Sequence, residues 1–488
     1  YNIKAELTAT KRVGFHQYTF PQSTEANIIF DIGHRMGESG PVLDSKVTLV
    51  DENHISGYVT TRPEYVKKYQ AGSTLTLFFF AELNKAPKTF GTFIEEKVTE
   101  GKKEESGIGS GLYLTYNTEE NEAIQIKVGL SYTSIDNAKL NLETEAKNLA
   151  FNEAKEQALQ TWNESLGRIT VEGKNENDKI KFYTGLYHAI LGRGLASDVN
   201  GAYPKNDGTI GQIELGANGK PKHNHYNTDA IWGGYWNLTQ LWAIAYPEYY
   251  QDWVQSQLLV YKDTGWLGDG IAASRFVSGV GTNMTGLVIS AAHNIGLRNF
   301  DVQLGYEAVR KNELEWKDRI PGAGKIDVGA FVQKGYCPYI NNEVDENREL
   351  TTEGSAFGTS HTLEYSFSSY AAAQYAKALG KTDDYNQLMQ LSKGWELIYD
   401  PSTNLIRPID INGKFIEDFD PSAPWVGFQE GNAWQYTFYV PHNPEGLVNK
   451  VGKEEFNSRL DSIFTVSHQF IFGGGEEIDA FAGIKSLY

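Results

Sequence analysis

Ala123-Ile124-Gln125-Ile126-Lys127-Val128-Gly129-Leu130-Ser131-Tyr132, followed almost at once by Asn137-Ala138-Lys139-Leu140-Asn141-Leu142-Glu143-Thr144-Glu145-Ala146, decides the fold. In the first segment Ile124, Ile126, Val128, Leu130 and Tyr132 alternate with polar or small residues, the period of a strand with one buried face. From Asn137 the apolar residues Leu142, Ala146, Leu149, Ala154, Ala158, Trp162 and Leu166 recur at three and four, the period of a helix. The chain therefore changes structural class near residue 133. Upstream, Asn27–Ile32 and Ser73–Leu83 read as further strands between Gly-, Pro-, Asn- and Lys-rich turns, so residues 1–133 are predicted to form an antiparallel β-sandwich. Residues 134–176 read as linker helices, with a short strand over Arg168–Val171. Beyond 177 the pattern predicts helices over Lys179–Leu191, Asn237–Tyr246, Gln251–Tyr261, Thr285–Ile295, Val302–Trp316, Thr362–Leu379, Asp384–Tyr399 and Glu454–Phe464. No strands are interleaved as a βαβ repeat requires, so 177–488 is expected to be an α-helical toroid or bundle and the whole chain an α+β multidomain protein.

A chain of 488 residues has room for two to four domains with well-buried cores, which excludes a small disulfide scaffold. Its 62 acidic against 44 basic residues give a net charge of −18, unfavourable for nucleic acid or an anionic membrane. The single cysteine, Cys337, has no intramolecular partner and leaves the compartment open. No apolar run reaches the ~20 residues that span a bilayer. Aromatics are abundant, with 10 Trp, 28 Tyr and 24 Phe, many in Gly- and Asn-rich loops where flat rings beside amides point to sugar binding. The chain opens at Tyr1 inside a strand-like pattern and stops at Tyr488 inside a helix-like one, so we expect a piece of a longer polypeptide, with some functional residues outside it.

Glu430, beside Gly431 and among Trp425, Phe428, Trp434 and Tyr436, is the candidate general acid, because desolvation would raise its pKa toward neutrality. The competing reading makes it a cap for the helix beginning near Asn432. In Trp232-Gly233-Gly234-Tyr235-Trp236-Asn237 the glycines let backbone approach a ligand, the rings offer stacking faces, and Asp229 and Asn237 can grip hydroxyls. A Gly-hinged loop with buried Trp residues is the alternative there. Glu364 either points into a cavity or is an acid near a helix start. Glu476, Glu477 and Asp479, after Gly473–Gly475, either cap a helix or coordinate a hard cation. The acidic stretch Glu95–Ser106, with five Glu and three Lys, reads as a solvated hairpin tip. The glycine tracts 268–270 and 279–281 lack the spacing of a nucleotide loop, no HxxxH or cysteine pair supports zinc, and no GxSxG elbow supports a serine nucleophile.

Several stretches together resemble glycoside hydrolase family 92, the calcium-dependent exo-α-mannosidases. They are Gly14-Phe15-His16-Gln17-Tyr18-Thr19-Phe20-Pro21, Lys127-Val128-Gly129 with Ser131-Tyr132, and Phe182–His188 leading to Asp198-Val199-Asn200-Gly201. Further on come Thr362-Leu363-Glu364-Tyr365 and, most specific, Glu430-Gly431-Asn432-Ala433-Trp434-Gln435-Tyr436 with Val440-Pro441-His442. The resemblance runs nearly the whole length in the family's order. It implies a β-sandwich joined by linker helices to an (α/α)6 toroid, inverting hydrolysis of terminal α-linked mannose, and a periplasmic, cell-surface or secreted bacterial location. The family's general acid falls on Glu430, while its base and most ligands of its Ca2+ are expected in a segment this sequence does not contain. Asp229, Trp232, Trp236, Asn237, Glu364, Trp434, Gln435 and His442 are the expected sugar contacts, with an oligosaccharide or glycan as substrate. One departure matters: a family Trp-Asp-Thr tripeptide falls on Trp232 and Gly233, so its carboxylate is missing unless Asp229 replaces it. Ser368-Ser369-Tyr370 likewise stands where members often have two acids and a Trp. Another (α/α)6 hydrolase or phosphorylase, or a non-catalytic glycan-binding protein on this fold, are the alternative readings.

Overall fold

The computed structural model describes residues 1–37, 39–67, 70, 72–191, 194–227, 231–277, 282–320, 322–325, 327–341 and 354–471. By compactness the chain divides into two units. The first comprises Tyr1–Asp229, Ile244–Ser256 and Ile271–Arg275, and the second Ala230–Ala243, Gln257–Gly270 and Phe276–Tyr488.

The first unit holds two antiparallel sheets. One runs in the order β1 (Lys4–Ala9), β2 (Val13–Phe20), β11 (Glu122–Ser131), β6 (Leu75–Leu83), β5 (His54–Thr61), β4 (Val42–Leu49) and β9 (Glu104–Ser106); the other is β3 (Ser23–Asp31), β10 (Ser110–Thr118), β7 (Thr89–Ile94) and β8 (Lys97–Glu100). Val47, Ile55, Ala81, Ile124 and Ile126 of the first pack with Ala26, Ile28, Leu112, Leu114 and Tyr116 of the second in one buried cluster. This is the predicted sandwich. At ~1.5–3 kcal/mol for each large apolar side chain taken from water, that cluster is what holds the sheets together.

The alternation in β11 changes partner partway along. Ile124 and Ile126 face the sandwich core, whereas Gly129 and Ser131 are buried on the other side and Leu130 is exposed. Helix Ile135–Ala146 covers that side so closely that a Cβ on Gly129 would lie 2.3 Å from the Ala138 carbonyl oxygen. Ser134 caps this helix by accepting from the Asn137 N–H, and Phe151–Leu166 follows as its partner, giving the expected pair. Ala138, Leu142, Ala146, Phe151 and Ala154 bury against Val13, Phe15 and Phe80.

Two local expectations are corrected. Arg168–Val171 forms no strand: Gly167 closes the preceding helix onto the Asn163 carbonyl, and Arg168 donates to the Ala245 carbonyl (2.9 Å). A four-residue strand needs a neighbouring ladder, and among the described residues none pairs with it. The acidic stretch 95–106 is only partly a solvated hairpin. β7 and β8 pair around Glu95 and Glu96, but Glu104–Ser106 joins the large sheet beside β4, where buried Glu105 accepts from Thr92 Oγ1 (2.9 Å) and Lys102 Nζ (2.7 Å).

The second unit is helical, with Met284–Asn294, Val302–Leu314, Gly358–Ala378, Thr382–Leu391, Pro444–Val451 and Lys453–Ile471 among its helices. The helix predicted over Asp384–Tyr399 stops at Leu391 and gives way to a 3-10 turn at Gly394–Glu396 and a strand pair, Tyr399–Asp400 with Leu405–Ile406. Gly394 passes so near the Gly335 carbonyl that a Cβ would sit 2.3 Å from its oxygen, a constraint no periodicity reports. Gly358–Ala378 is buried on almost every side, and the hydroxyls of Thr362, Ser366 and Ser368 donate to its own backbone, as in Ser366 Oγ to the Thr362 carbonyl (2.6 Å). Fully buried Lys325 and Glu313 form an ion pair, and Glu313 also accepts from Asn283 Nδ2 (2.5 Å) and Ser369 Oγ (2.7 Å).

Candidate active site

Helix Gly358–Ala378 organises the site. Its first N–H groups have no partner within the helix, and those of Thr359 and Ser360 both donate to the Gly427 carbonyl (3.1 Å each). Gly427 returns its own N–H to the Ala356 carbonyl (3.0 Å), and Gln429 N–H donates to Ser360 Oγ (3.1 Å). Gly427 must be glycine: its φ is 84°, and a Cβ would lie 2.5 Å from Pro408 Cγ. The loop pinned in this way carries Trp425 at φ 68° and Glu430 at φ 53°. Left-handed backbone at non-glycine residues costs on the order of 1–3 kcal/mol and persists where surrounding structure imposes it, which is frequent at functional sites.

Glu430 stands exposed on this turn and is not the helix cap. That role belongs to Asn432, whose side chain accepts from Gln435 N–H while Gln435 Oε1 accepts from Asn432 N–H (3.0 Å). The desolvation expected of Glu430 falls on Glu364 instead. Glu364 is the seventh residue of its helix, beyond the first turn, so the helix-start reading does not fit it. Its Oε2 is shut off from solvent and has no hydrogen-bond donor among the described residues. Burial, reinforced by the negative charges of Asp269 and Glu430, pushes the Glu364 carboxyl well above its ordinary value. Asp269 is itself buried and accepts from Thr282 Oγ1 (2.6 Å) and N–H (3.2 Å).

Around these acids stand Tyr235, Tyr436 and Tyr439, whose hydroxyls burial drives upward and the Glu364 charge drives further. Tyr235 and Tyr439 share a hydrogen bond, and Tyr436 Oη donates to the Gln429 carbonyl (2.7 Å), tying the acid loop down. Trp236 is 54% exposed, stacked on Tyr235 (centroids 4.8 Å, planes 27° apart) and edge-on to Tyr439 at 5.1 Å. Trp232 is partly buried, Asn237 and Gly233 are exposed, and a Cβ on Gly233 would meet nothing within 4 Å.

The remaining expected contacts are spread more widely. His442 donates from Nε2 to the Ser392 carbonyl (2.8 Å), lies flat against Phe367 (5.9 Å), and has its pKa lowered by burial. Trp434 lies under the Arg459 guanidinium (5.4 Å). Asp229 falls outside the described residues, as do Glu476, Glu477 and Asp479. The structure thus brings together Glu364, Glu430 and, through shared tyrosines, Trp236. Sequence reading placed Tyr436 beside Glu430 but missed Asp269 and Tyr439 as members of the group; the three-residue spacing of Tyr439 from Tyr436 was the available signal. Among the described residues no three His, Cys, Asp or Glu are placed to hold a metal ion.

Glu364 on its helix and Glu430 on a Gly-bearing loop thus stand near one another's charge among aromatic rings, and comparison with known proteins gives the family. The family model for the glycosyl hydrolase family 92 catalytic domain matches residues 137–482, and that for the family's N-terminal domain matches residues 1–131. The chain belongs to glycoside hydrolase family 92. It is 25% identical to a family 92 α-mannosidase structure from Bacteroides thetaiotaomicron, with a TM-score of 0.85 over 96% of this chain and 60% of that one. A second B. thetaiotaomicron structure, a family 92 inverting mannosidase, is 22% identical with a TM-score of 0.82 over 94% of this chain and 58% of the other. An uncharacterized secreted glycosidase from Arthroderma benhamiae is 23% identical over 94% of this chain and 58% of its own length. The chain therefore spans about three-fifths of the length of these relatives.

Proposed function

We propose that this chain is part of an exo-acting, inverting glycoside hydrolase that removes terminal α-linked mannose, or a manno-configured sugar, from glycans, with Glu430 as general acid. The observation that carries the reading is the position of Glu430: an exposed residue on a left-handed turn, in a loop tied by three hydrogen bonds to the helix that bears partly buried Glu364 and by a fourth to Ala356 just before it. Trp236 and its tyrosine bed would face a pyranose ring, and Asn237 a hydroxyl. Inversion needs a second carboxylate about 6.5–9.5 Å from the acid to activate water. We assign that base to the part of the polypeptide that this chain does not span.

Calcium dependence belongs to the same proposal. Bound calcium would chelate two adjacent sugar hydroxyls without titrating near pH 7. Most of its protein ligands are proposed to lie in the part of the polypeptide that this chain does not span, while Glu430 and Trp236 would supply proton donation and sugar stacking. A periplasmic, surface or secreted location is likewise proposed, supported by the secreted relative; among the described residues no helix is long and apolar enough to cross a membrane.

Glu430→Gln in the complete polypeptide tests the assignment: turnover of substrates with poor leaving groups should fall by ~10²-fold or more with binding retained. Full activity of that variant on an unactivated mannoside rejects it. Gly233 supports a second reading, a glycan-binding protein without turnover. Saturable binding by the calcium-loaded polypeptide, with no product from any mannoside, is its signature.

A further inference from the structure

The four-stranded sheet has a second face, turned away from the sandwich core. On β10, Tyr113 stands between Ile29 of β3 and Gly91 of β7; one rung along, Phe93 of β7 stands between Gly111 of β10 and Val98 of β8. Both rings lie over the glycine of the neighbouring strand. A Cβ on Gly91 would come within 2.6 Å of Tyr113 Cε1, and one on Gly111 within 2.0 Å of Phe93 Cζ. Glycine inside a strand sacrifices packing and commonly marks a close approach by another group, here an aromatic ring laid across the pleat. The arrangement is reciprocal, each strand supplying one ring and one glycine. Each ring covers the sheet with one side and leaves the other outward, so both residues are half-buried. Ile29 and Val98 flank them at 63% and 61% exposure.

The rim of this face is polar and mostly acidic. Thr115 Oγ1 donates to Asn27 Oδ1 (2.7 Å) at the surface, and the outward strand positions carry Asp31 and Glu100 but neither Lys nor Arg. Flat apolar rings bordered by hydroxyl- and amide-bearing side chains match the C–H face and hydroxyl edge of a pyranose. Glu100 on the edge strand and Asp31, even with His34 paired to it (2.7 Å), leave the rim on the acidic side, which disfavours an anionic polymer; these carboxylates set its charge. They also disfavour a second copy of this chain, because a two-fold contact would set the same carboxylates against themselves. We propose that the outer face of the four-stranded sheet is a glycan-binding surface that holds a neutral polysaccharide chain on Tyr113 and Phe93, separate from the candidate active site. It would keep a polymeric substrate near the protein whichever residues cleave it.

Affinity electrophoresis of the chain in gels containing yeast α-mannan, barley β-glucan or xylan tests this. At least one of these neutral polymers should retard the protein, and saturating methyl α-mannoside, which competes only at a mannose site, should leave the retardation in place. Tyr113→Ala/Phe93→Ala should weaken it at least tenfold. Because those rings also cover backbone, Ile29→Lys/Val98→Lys, which changes only side chains more than half exposed, should weaken it as well with the melting temperature unchanged. Hydrolysis of an aryl α-mannoside by the complete polypeptide should be unaffected in both variants, so loss of turnover and loss of this binding are read independently. The proposal is overturned if none of the three polymers retards the protein, if both variants bind as before, or if Ile29→Lys/Val98→Lys instead converts a dimer to a monomer in sedimentation.

Discussion

Glu364→Gln should stabilise this protein, and increasingly so as pH rises. Among the described residues Glu364 Oε2 has no donor, and Asp269 and Glu430 bear on it with negative charge, so its carboxyl holds its proton well above the ordinary value of 4.5. An acid whose pKa is raised on folding binds more protons in the native than in the unfolded state between the two values. Stability therefore falls as pH climbs through that window and levels off above the folded pKa. The slope for one such group approaches ~1.4 kcal/mol per pH unit. In a domain of 150–250 residues 1 kcal/mol moves the melting temperature by about 2–4 °C, and by less in a larger one. Calorimetric melts of wild type and Glu364→Gln at half-unit steps from pH 4.5 to pH 8 should give curves that coincide at the acid end and diverge upward. Parallel curves, or a variant that melts lower at pH 8, would refute the argument that burial of Oε2 holds the proton on the Glu364 carboxyl.

Lys325→Met should cost about 3–5 kcal/mol by leaving Glu313 buried and charged, and Lys325→Met/Glu313→Leu should regain much of it; urea titration of both variants decides. His225 is fully buried, its Nδ1 has no partner among the described residues, and its pKa is pushed down to about 3 by burial, so its contribution is lost as pH falls from about 6.5 toward 3. His225→Gln should flatten acid denaturation over that range by up to ~1.4 kcal/mol per pH unit. Leu142→Ala, in the cluster beneath helix Ile135–Ala146, should cost about 2–5 kcal/mol in the same assay. Gly233→Asp enters open space and should leave the melting temperature within a degree or two, while raising turnover of α-1,2-mannobiose if the missing carboxylate is what limits its binding.

The sandwich was legible because Ile124 and Ile126 repeat a strand's period in a row, and the helix pair because Leu142, Ala146 and Ala154 keep a helix's. Leu130 broke the rule because Gly129, by lacking a side chain, lets a helix bury the opposite face. Glu104–Ser106 looked solvated since composition cannot show Lys102 and Thr92 meeting the Glu105 carboxylate. At the candidate site, the motif singled out Glu430 but not its relation to Glu364: that depends on backbone donors of Thr359 and Ser360 finding the Gly427 carbonyl, and backbone groups are the same in every residue. Which of two glutamates is desolvated is likewise a property of packing, and it went to Glu364.

The bonds between Gly427 and the start of helix Gly358–Ala378 join segments on either side of a tight surface turn at Asp410–Lys414, where Asp410 and Lys414 pair and the residues between lie exposed. Cutting the peptide between Asn412 and Gly413 would therefore leave Glu430 anchored to the other fragment by noncovalent contacts alone. The chain has a natural seam there: two separately expressed pieces ending at that turn can be expected to reassemble around the candidate acid, a ready basis for a complementation reporter or a circularly permuted enzyme.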